Sequence, residues 1–249
     1  MKPELPTLLE IKRKAVTAKT DPKTLEIGLN HFYWRKIKDI NEFDNLWCNR
    51  KIPSQIQEYL TALSESYGFI HFSLDCLEEL SKEKPSNDHV FLVSYFYYSL
   101  IHNTKKTLDI LALIIKTAYN LGIRDEWCDF DTSRGNKFFI YLEKANKKLY
   151  SALLSEFQDW IVEFSKERTL ITHKRKWPIM PEDICCHGKK VISHVAISTL
   201  HPWDRASISL LSIEDRLKSF SKVKEILILV CGEINKKFEE KKTFKESLK

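Results

Sequence analysis

The residues of this chain best suited to do chemistry are Arg168 and His173, in the run Phe164-Ser165-Lys166-Glu167-Arg168-Thr169-Leu170-Ile171-Thr172-His173-Lys174-Arg175. Arginine is always charged, and its planar fork of donors matches a phosphate. Histidine is the side chain whose proton moves most readily near neutral pH. With Lys174, Arg175 and Lys176 following directly, the run has the composition of a phosphodiester-handling site. Spacing alone is a weak signal, because a chain with 40 Lys+Arg and 8 His also produces such pairs by chance.

A five-residue step on a regular helix turns through roughly 140° and advances ~7.5 Å. Arg168 and His173 therefore cannot share one helix face. Thr169 and His173 can, as can Arg168, Thr172 and Arg175. This geometry favours a site at a helix end, or at a two-fold interface where a second copy supplies what one chain cannot.

The elements that must hold such a site read as long helices. Ile56, Leu60, Leu63, Tyr67, Ile70, Leu74 and Leu77 recur at alternating steps of four and three, which predicts a helix over about 54–80 bounded by Pro53 and Pro85. Ser86-Asn87-Asp88 offers N-cap side chains for a second helix of over thirty residues, ending at Gly122. Its first half (Phe91, Leu92, Tyr95, Phe96, Tyr98, Leu100, Ile101) is apolar nearly all round and is expected to be central. The stretch His102-Asn103-Thr104-Lys105-Lys106-Thr107 beyond it is polar, and either reaches solvent, the commoner arrangement, or lines a pocket. After an acidic loop carrying Asp125, Glu126, Asp129 and Asp131, a third helix is expected over about 136–168 through Phe138, Leu142, Ala145, Leu149, Leu153, Phe157, Trp160 and Phe164. A last helix is expected over about 213–238. Between these two lies a stretch with three prolines, whose alternating run Val191 to Ile197 reads as a strand.

The fold class predicted is all-α: an up-and-down bundle of about four long helices, with an N-terminal extension over 1–53 and a small β-containing insertion over 176–205 before the last helix. Residues 242–249 read as a basic tail. The composition, 43% hydrophobic and 30% charged with 6 Gly and 8 Pro, suits long helices better than a fold rich in tight turns. Half of the net charge of +6 lies in residues 236–249, so the local basic run after Arg168 says more than the total. Met1 to Pro6 leads into no apolar run, and the longest apolar stretch, 108–115, is far below the ~20 residues of a membrane span. A cytoplasmic protein with no membrane attachment is expected. Cys76 and Cys231 lie within helical patterns and read as small buried hydrophobes.

Arg168 to His173, placed after the third long helix of such a bundle, resembles the Arg-(x)4–6-His signature of the HEPN superfamily, over roughly residues 54–238. Those are compact helical domains, many of them ribonucleases of toxin–antitoxin, CRISPR and phage-defence systems. The resemblance implies metal-independent RNA cleavage by a homodimer, without a cofactor, leaving a cyclic phosphate. His173 would act as general base or acid at the ribose 2′-hydroxyl and Arg168 would bind the scissile phosphate. Thr169, Thr172, Lys174 and Arg175 would position the RNA backbone, and Lys105, Lys106 and Asp109 are candidates for a second wall. The partners implied are RNA, a second copy of the chain, and an antitoxin or regulatory protein such as a minimal nucleotidyltransferase. One position departs from the pattern: active nucleases most often carry Asn, Asp or His after the motif Arg, and this chain has Thr169. A catalytically silent module that binds RNA, a nucleotide or a protein through the same groove is the alternative.

Metal chemistry is the rival reading. His173, Cys185, Cys186, His187, His194 and His201 fall close together, but adjacent Cys185-Cys186-His187 lacks the spacing that aims two ligands at one zinc ion. No metal is assigned.

Overall fold

The computed structural model describes residues 37–80, 87–130, 137–162, 164–165, 179–186, 189–198, 210–211 and 220–246. These residues contain six α-helices: α1 (Asn41–Cys48), α2 (Ser54–Leu80), α3 (Asn87–Tyr119), α4 (Lys137–Ala145), α5 (Lys147–Glu156) and α6 (Ser221–Glu246). Backbone pairing also joins β1 (Ile179–Cys186) antiparallel to β2 (Lys189–Ser198), with the two residues of β3 (Leu210–Leu211) on the far side of β2.

Helix α2 starts where its apolar stripe predicts and carries that stripe throughout. The carbonyl of Pro53 accepts from the amides of Ile56 and Gln57, which seats the proline just ahead of the first turn. Ile56, Leu60, Leu63, Tyr67, Ile70 and Leu77 are buried and Leu74 is partly so. Helix α3 runs antiparallel beside it: Thr107 Oγ1 donates to Ser66 Oγ at 2.9 Å, and Ser73 Oγ donates to Ser99 Oγ at 3.1 Å. Such small hydroxyls let two helices approach closely while satisfying each other.

The end of α3 is set by Asn120, which takes the left-handed conformation (φ 51°), rather than by Gly122. Leu121 N–H reaches back to the Lys116 carbonyl at 3.0 Å and Asn120 N–H to Thr117 at 3.4 Å. These two bonds satisfy carbonyls that the last turn would otherwise leave open. The first half of α3 is largely buried as expected, with Phe96, Tyr97, Leu100 and Ile101 in the core, but Tyr95 is 61% exposed. Thr104, Thr107, Leu108, Leu111, Ala112, Ile114 and Ile115 in the second half are fully enclosed.

The helix expected over 136–168 is not continuous within its described residues. Asn146 breaks it, with extended backbone (φ −155°, ψ 93°), and its side chain caps α5 by accepting from Leu149 N–H at 3.0 Å. The apolar period survives because one cap residue shifts the phase little, but Ala145, which the stripe included, is exposed. After Glu156 the backbone widens into a π turn over Phe157–Ile161, and the wider turn buries Phe157, Trp160 and Ile161 together. Helix α6 begins at Ser221, after a turn at Phe220, and runs antiparallel to this segment: Lys148 pairs with Glu233 and Lys222 with Asp159. Residues 213–219, where that helix was expected to start, lie outside the described residues.

Helix α1 packs against α6. Ile37, Ile40, Phe43 and Leu46 enter the common core with no more than 2% exposure, and Asn49 Nδ2 donates to Asn235 Oδ1 at 2.8 Å. Cys76 and Cys231 are buried, as their helical positions predict, and desolvation pushes the Cys231 thiol up to about 12.

Candidate functional site

The described chain reaches the Arg168–His173 segment from an anchored corner. Trp160 and Phe164 pack edge to face with centroids 5.8 Å apart, and Phe164 meets Phe220, just ahead of α6, at 6.2 Å and a right angle. Such aromatic pairs add direction to burial. Trp160 also donates its indole N–H to Glu156 at 3.1 Å across the π turn. Short π segments recur near functional sites, where the extra residue turns the chain beyond it onto a new heading. Arg168, Thr169, Thr172, His173, Lys174 and Arg175 themselves lie outside the described residues.

Of the three residues expected to form a second wall, two come together. Lys105 and Asp109, one turn apart on α3, form an ion pair in which the lysine side chain is only 10% exposed and the carboxylate 40%. A nearly buried ammonium is costly to desolvate, and an adjacent carboxylate offsets that cost. Lys106 is exposed on a different face of the helix. The polar stretch 102–107 is therefore mostly enclosed rather than solvated: only His102 and Lys106 are exposed. Asn103 is half-buried and donates to the Ser99 carbonyl at 2.8 Å.

Acidic groups surround the same side of α3. Lys116 pairs with Asp125 of the loop after the helix. In that loop Cys128 is buried and donates its thiol to the Ala112 carbonyl at 3.0 Å. Burial is the main cause that pushes this thiol up to about 12; Lys116 opposes it, and the carboxylates of Asp125, Asp129 and Asp109 reinforce it. Asp109 thus belongs to the same electrostatic neighbourhood as the acidic loop. This wall carries compensated charge, not a free excess of cations.

A cationic surface that residue patterning did not single out lies on α4. Phe138, Phe139 and Leu142 face the core, with both phenylalanines stacking edge to face on Phe130, while Lys137, Ile140, Tyr141 and Lys144 are exposed. Positions i, i+3, i+4 and i+7 share one helix face, so these four form a single stripe opposite the buried one. Lys137 Nζ lies 3.5 Å above the Trp127 ring, with Arg124 5.3 Å from the same ring. Lys144 Nζ lies 5.8 Å from the Tyr141 ring. The legible signal was a helical one: lysines and a tyrosine at i, i+4 and i+7, out of phase with the phenylalanines.

The far end of this surface is tied down. Asn146 donates to Tyr119 Oη at 2.8 Å, and Lys237 lies over that tyrosine ring at 4.2 Å. Burial holds the Tyr119 hydroxyl above its ordinary range, with Asn146 opposing and Glu233 and Glu240 adding to the shift. Glu233 in turn bonds Lys148 at 2.8 Å and Lys236 at 3.2 Å, and hydrogen bonding by Lys148 is the main cause that lowers its carboxyl below the usual value.

Among the described residues, no group of three or more His, Cys, Asp or Glu side chains is arranged to hold a metal ion. The side chains of His173, Cys185, Cys186, His187, His194 and His201 lie outside the described residues. No helix among the described residues is long and apolar enough to cross a membrane. Comparison with protein-family models, with curated proteins and with solved structures finds no match to this chain.

Proposed function

We propose that this protein is a metal-independent endoribonuclease of the HEPN type, acting as a homodimer whose two Arg168–His173 segments face one groove. The observation that carries the reading is the Arg168-x4-His173 run with its trailing Lys174-Arg175-Lys176, in a chain whose described part is predominantly helical. The fold that goes with it is a bundle of long antiparallel helices with a β-containing insertion before the last. The partners are RNA and a second copy of the chain, with an antitoxin or regulatory protein such as a minimal nucleotidyltransferase restraining the toxin or defence effector.

In this mechanism the ribose 2′-hydroxyl attacks the adjacent phosphorus, and the bond to the 5′-oxygen of the next nucleotide breaks. The products are a 2′,3′-cyclic phosphate and a 5′-hydroxyl. His173 exchanges the proton at the attacking or leaving oxygen, work that a positioned imidazole does at neutral pH without an ion. Arg168 binds the non-bridging phosphate oxygens, where its charge counts most as negative charge builds in the transition state. Thr169, Thr172, Lys174 and Arg175 hold the backbone in register. Thr169 favours one second reading, since it hydrogen-bonds where active nucleases usually carry Asn, Asp or His: a silent module that binds RNA, a nucleotide or a protein without cutting.

Incubation of the purified protein with single-stranded RNA in EDTA separates these readings. The nuclease cleaves with chelator present. An activity that vanishes with EDTA and returns with a divalent ion contradicts the mechanism. Salt-sensitive binding without cleavage assigns the silent module.

A further inference from the structure

We infer that the exposed stripe of α4 and the start of α5 is a binding track for single-stranded RNA, separate in sequence from the Arg168–His173 segment. The choice of RNA as occupant rests on the functional reading above; the surface itself rests on geometry. Three observations carry it. First, Ile140 and Tyr141 are 49% and 40% exposed, although α4 buries three other large side chains, so the helix presents two apolar surfaces and covers only one. Second, residues 137–148 hold four lysines against the single Glu143. Among the described residues no carboxylate pairs with Lys137, Lys144 or Lys147, while Lys148 is committed to Glu233. Third, the cations and rings are interleaved: Lys137 sits on Trp127 and Lys144 lies beside Tyr141.

That combination fits a flexible polyanion with flat bases better than any other partner. Single strands are held by cations that track the phosphates and by aromatic faces on which bases stack, with little need for sequence readout. An acidic protein surface would use the lysines but has no particular need of the tyrosine face. A duplex keeps its bases stacked inside and leaves an exposed tyrosine unused. Lys137 to Lys144 spans about 10 Å along the helix, room for a short stretch of strand rather than one isolated phosphate. Lys147, exposed in the first turn of α5, adds a cation directly after Asn146. The cap and the Asn146–Tyr119 bond fix the angle at which the second helix continues the first.

The test is fluorescence anisotropy of the full-length protein with a labelled 2′-O-methyl oligouridine, which no 2′-hydroxyl mechanism can cleave, so binding is read independently of catalysis. Tyr141→Ala is expected to weaken binding about tenfold, the size of one lost stacking contact. Replacing Lys137, Lys144 and Lys147 together by Gln is expected to reduce the slope of log affinity against log salt by roughly two, since each phosphate contact on a single strand contributes ~0.7. Circular dichroism confirms that each variant is folded, as these side chains are exposed. Unchanged affinity in both stripe variants overturns the proposal even if the protein cleaves RNA. Equal loss of binding to a duplex of the same length also overturns it, because the tyrosine face would then have no role. Stripe-dependent binding by a protein that does not cleave leaves this proposal standing and rejects the nuclease alone.

Discussion

Two regions of this protein use lysine beside an α-helix, and they use it in opposite ways. On α3 the ammonium of Lys105 is enclosed and committed to Asp109, close to the carboxylates of the next loop. On α4 the ammonium groups of Lys137 and Lys144 stand in solvent, one of them on an indole ring and the other near a phenol. Burial decides where a charge can serve a ligand. A buried lysine has already exchanged its hydration for a fixed partner, and releasing it would expose the cost of that burial. A lysine on an aromatic face keeps most of its hydration and can turn to a phosphate at small cost. Residue type alone does not separate these cases; burial does.

The contrast between the two faces of α4 is the easiest to break. Phe138→Ala removes a side chain only 1% exposed from a cluster with Phe130 and Phe139, and is expected to cost about 3–5 kcal/mol in denaturant unfolding. Tyr141→Ala, on the opposite face, should stay within about 0.5 kcal/mol of the unaltered protein. Equal losses would mean that the stripe is part of the core. On α3, Asp109→Ala leaves the Lys105 charge stranded. The expected loss is about 2 kcal/mol, below that of a fully buried pair because the Asp109 side chain is 40% exposed. Lys105→Met fills similar space without charge and should change stability by less than about 1 kcal/mol. If the methionine variant proves the worse of the two, Lys105 is not the desolvated partner described above.

Smaller effects report on how the stripe is held. Asn146→Ala removes the cap of α5 and the bond to Tyr119, and a loss of about 1 kcal/mol is expected in thermal melts. The Glu233 contact is smaller still and depends on pH. Its carboxyl is held below the ordinary 4.5 by Lys148 and Lys236, so the folded state takes up the proton less readily than the unfolded chain. The stabilisation is complete above that value and is lost as pH falls through the lowered folded value. Glu233→Gln should therefore melt below the unaltered protein at pH 7, and the gap should close under more acid conditions. A gap that widens on acidification contradicts the pairing.

How much of this was legible depends on how far local pattern governs each element. The stripe Ile56 to Leu77, opening behind Pro53, marked where α2 lies, because a helix that buries one continuous apolar face is specified by its own period. The break at Asn146 was hidden, since Leu142, Leu149 and Leu153 keep a helical step across it; the cap residue was the available signal. Burial of Thr104, Lys105 and Thr107 was not legible either, because it depends on Ser66 of another helix and on charges in a distant loop. The stripe of α4 went unread for the opposite reason. Ile140 and Tyr141 look like core residues until the phase of Phe138, Phe139 and Leu142 shows which face is already taken. The chemistry proposed for Arg168 and His173 rests on residue type and spacing, and their geometry lies outside the described residues.

The assignment of cleavage to Arg168 and His173 is tested at those two side chains. Cleavage of single-stranded RNA in EDTA is compared for the unaltered protein, His173→Ala and Arg168→Ala, with product ends analysed and melting temperatures taken on the same preparations. The expected result is cleavage to cyclic-phosphate ends by the unaltered protein, and a loss of at least about a hundredfold in each variant, with melting temperatures nearly unchanged. Cleavage that persists in both variants, or is lost only together with the folded state, would contradict it.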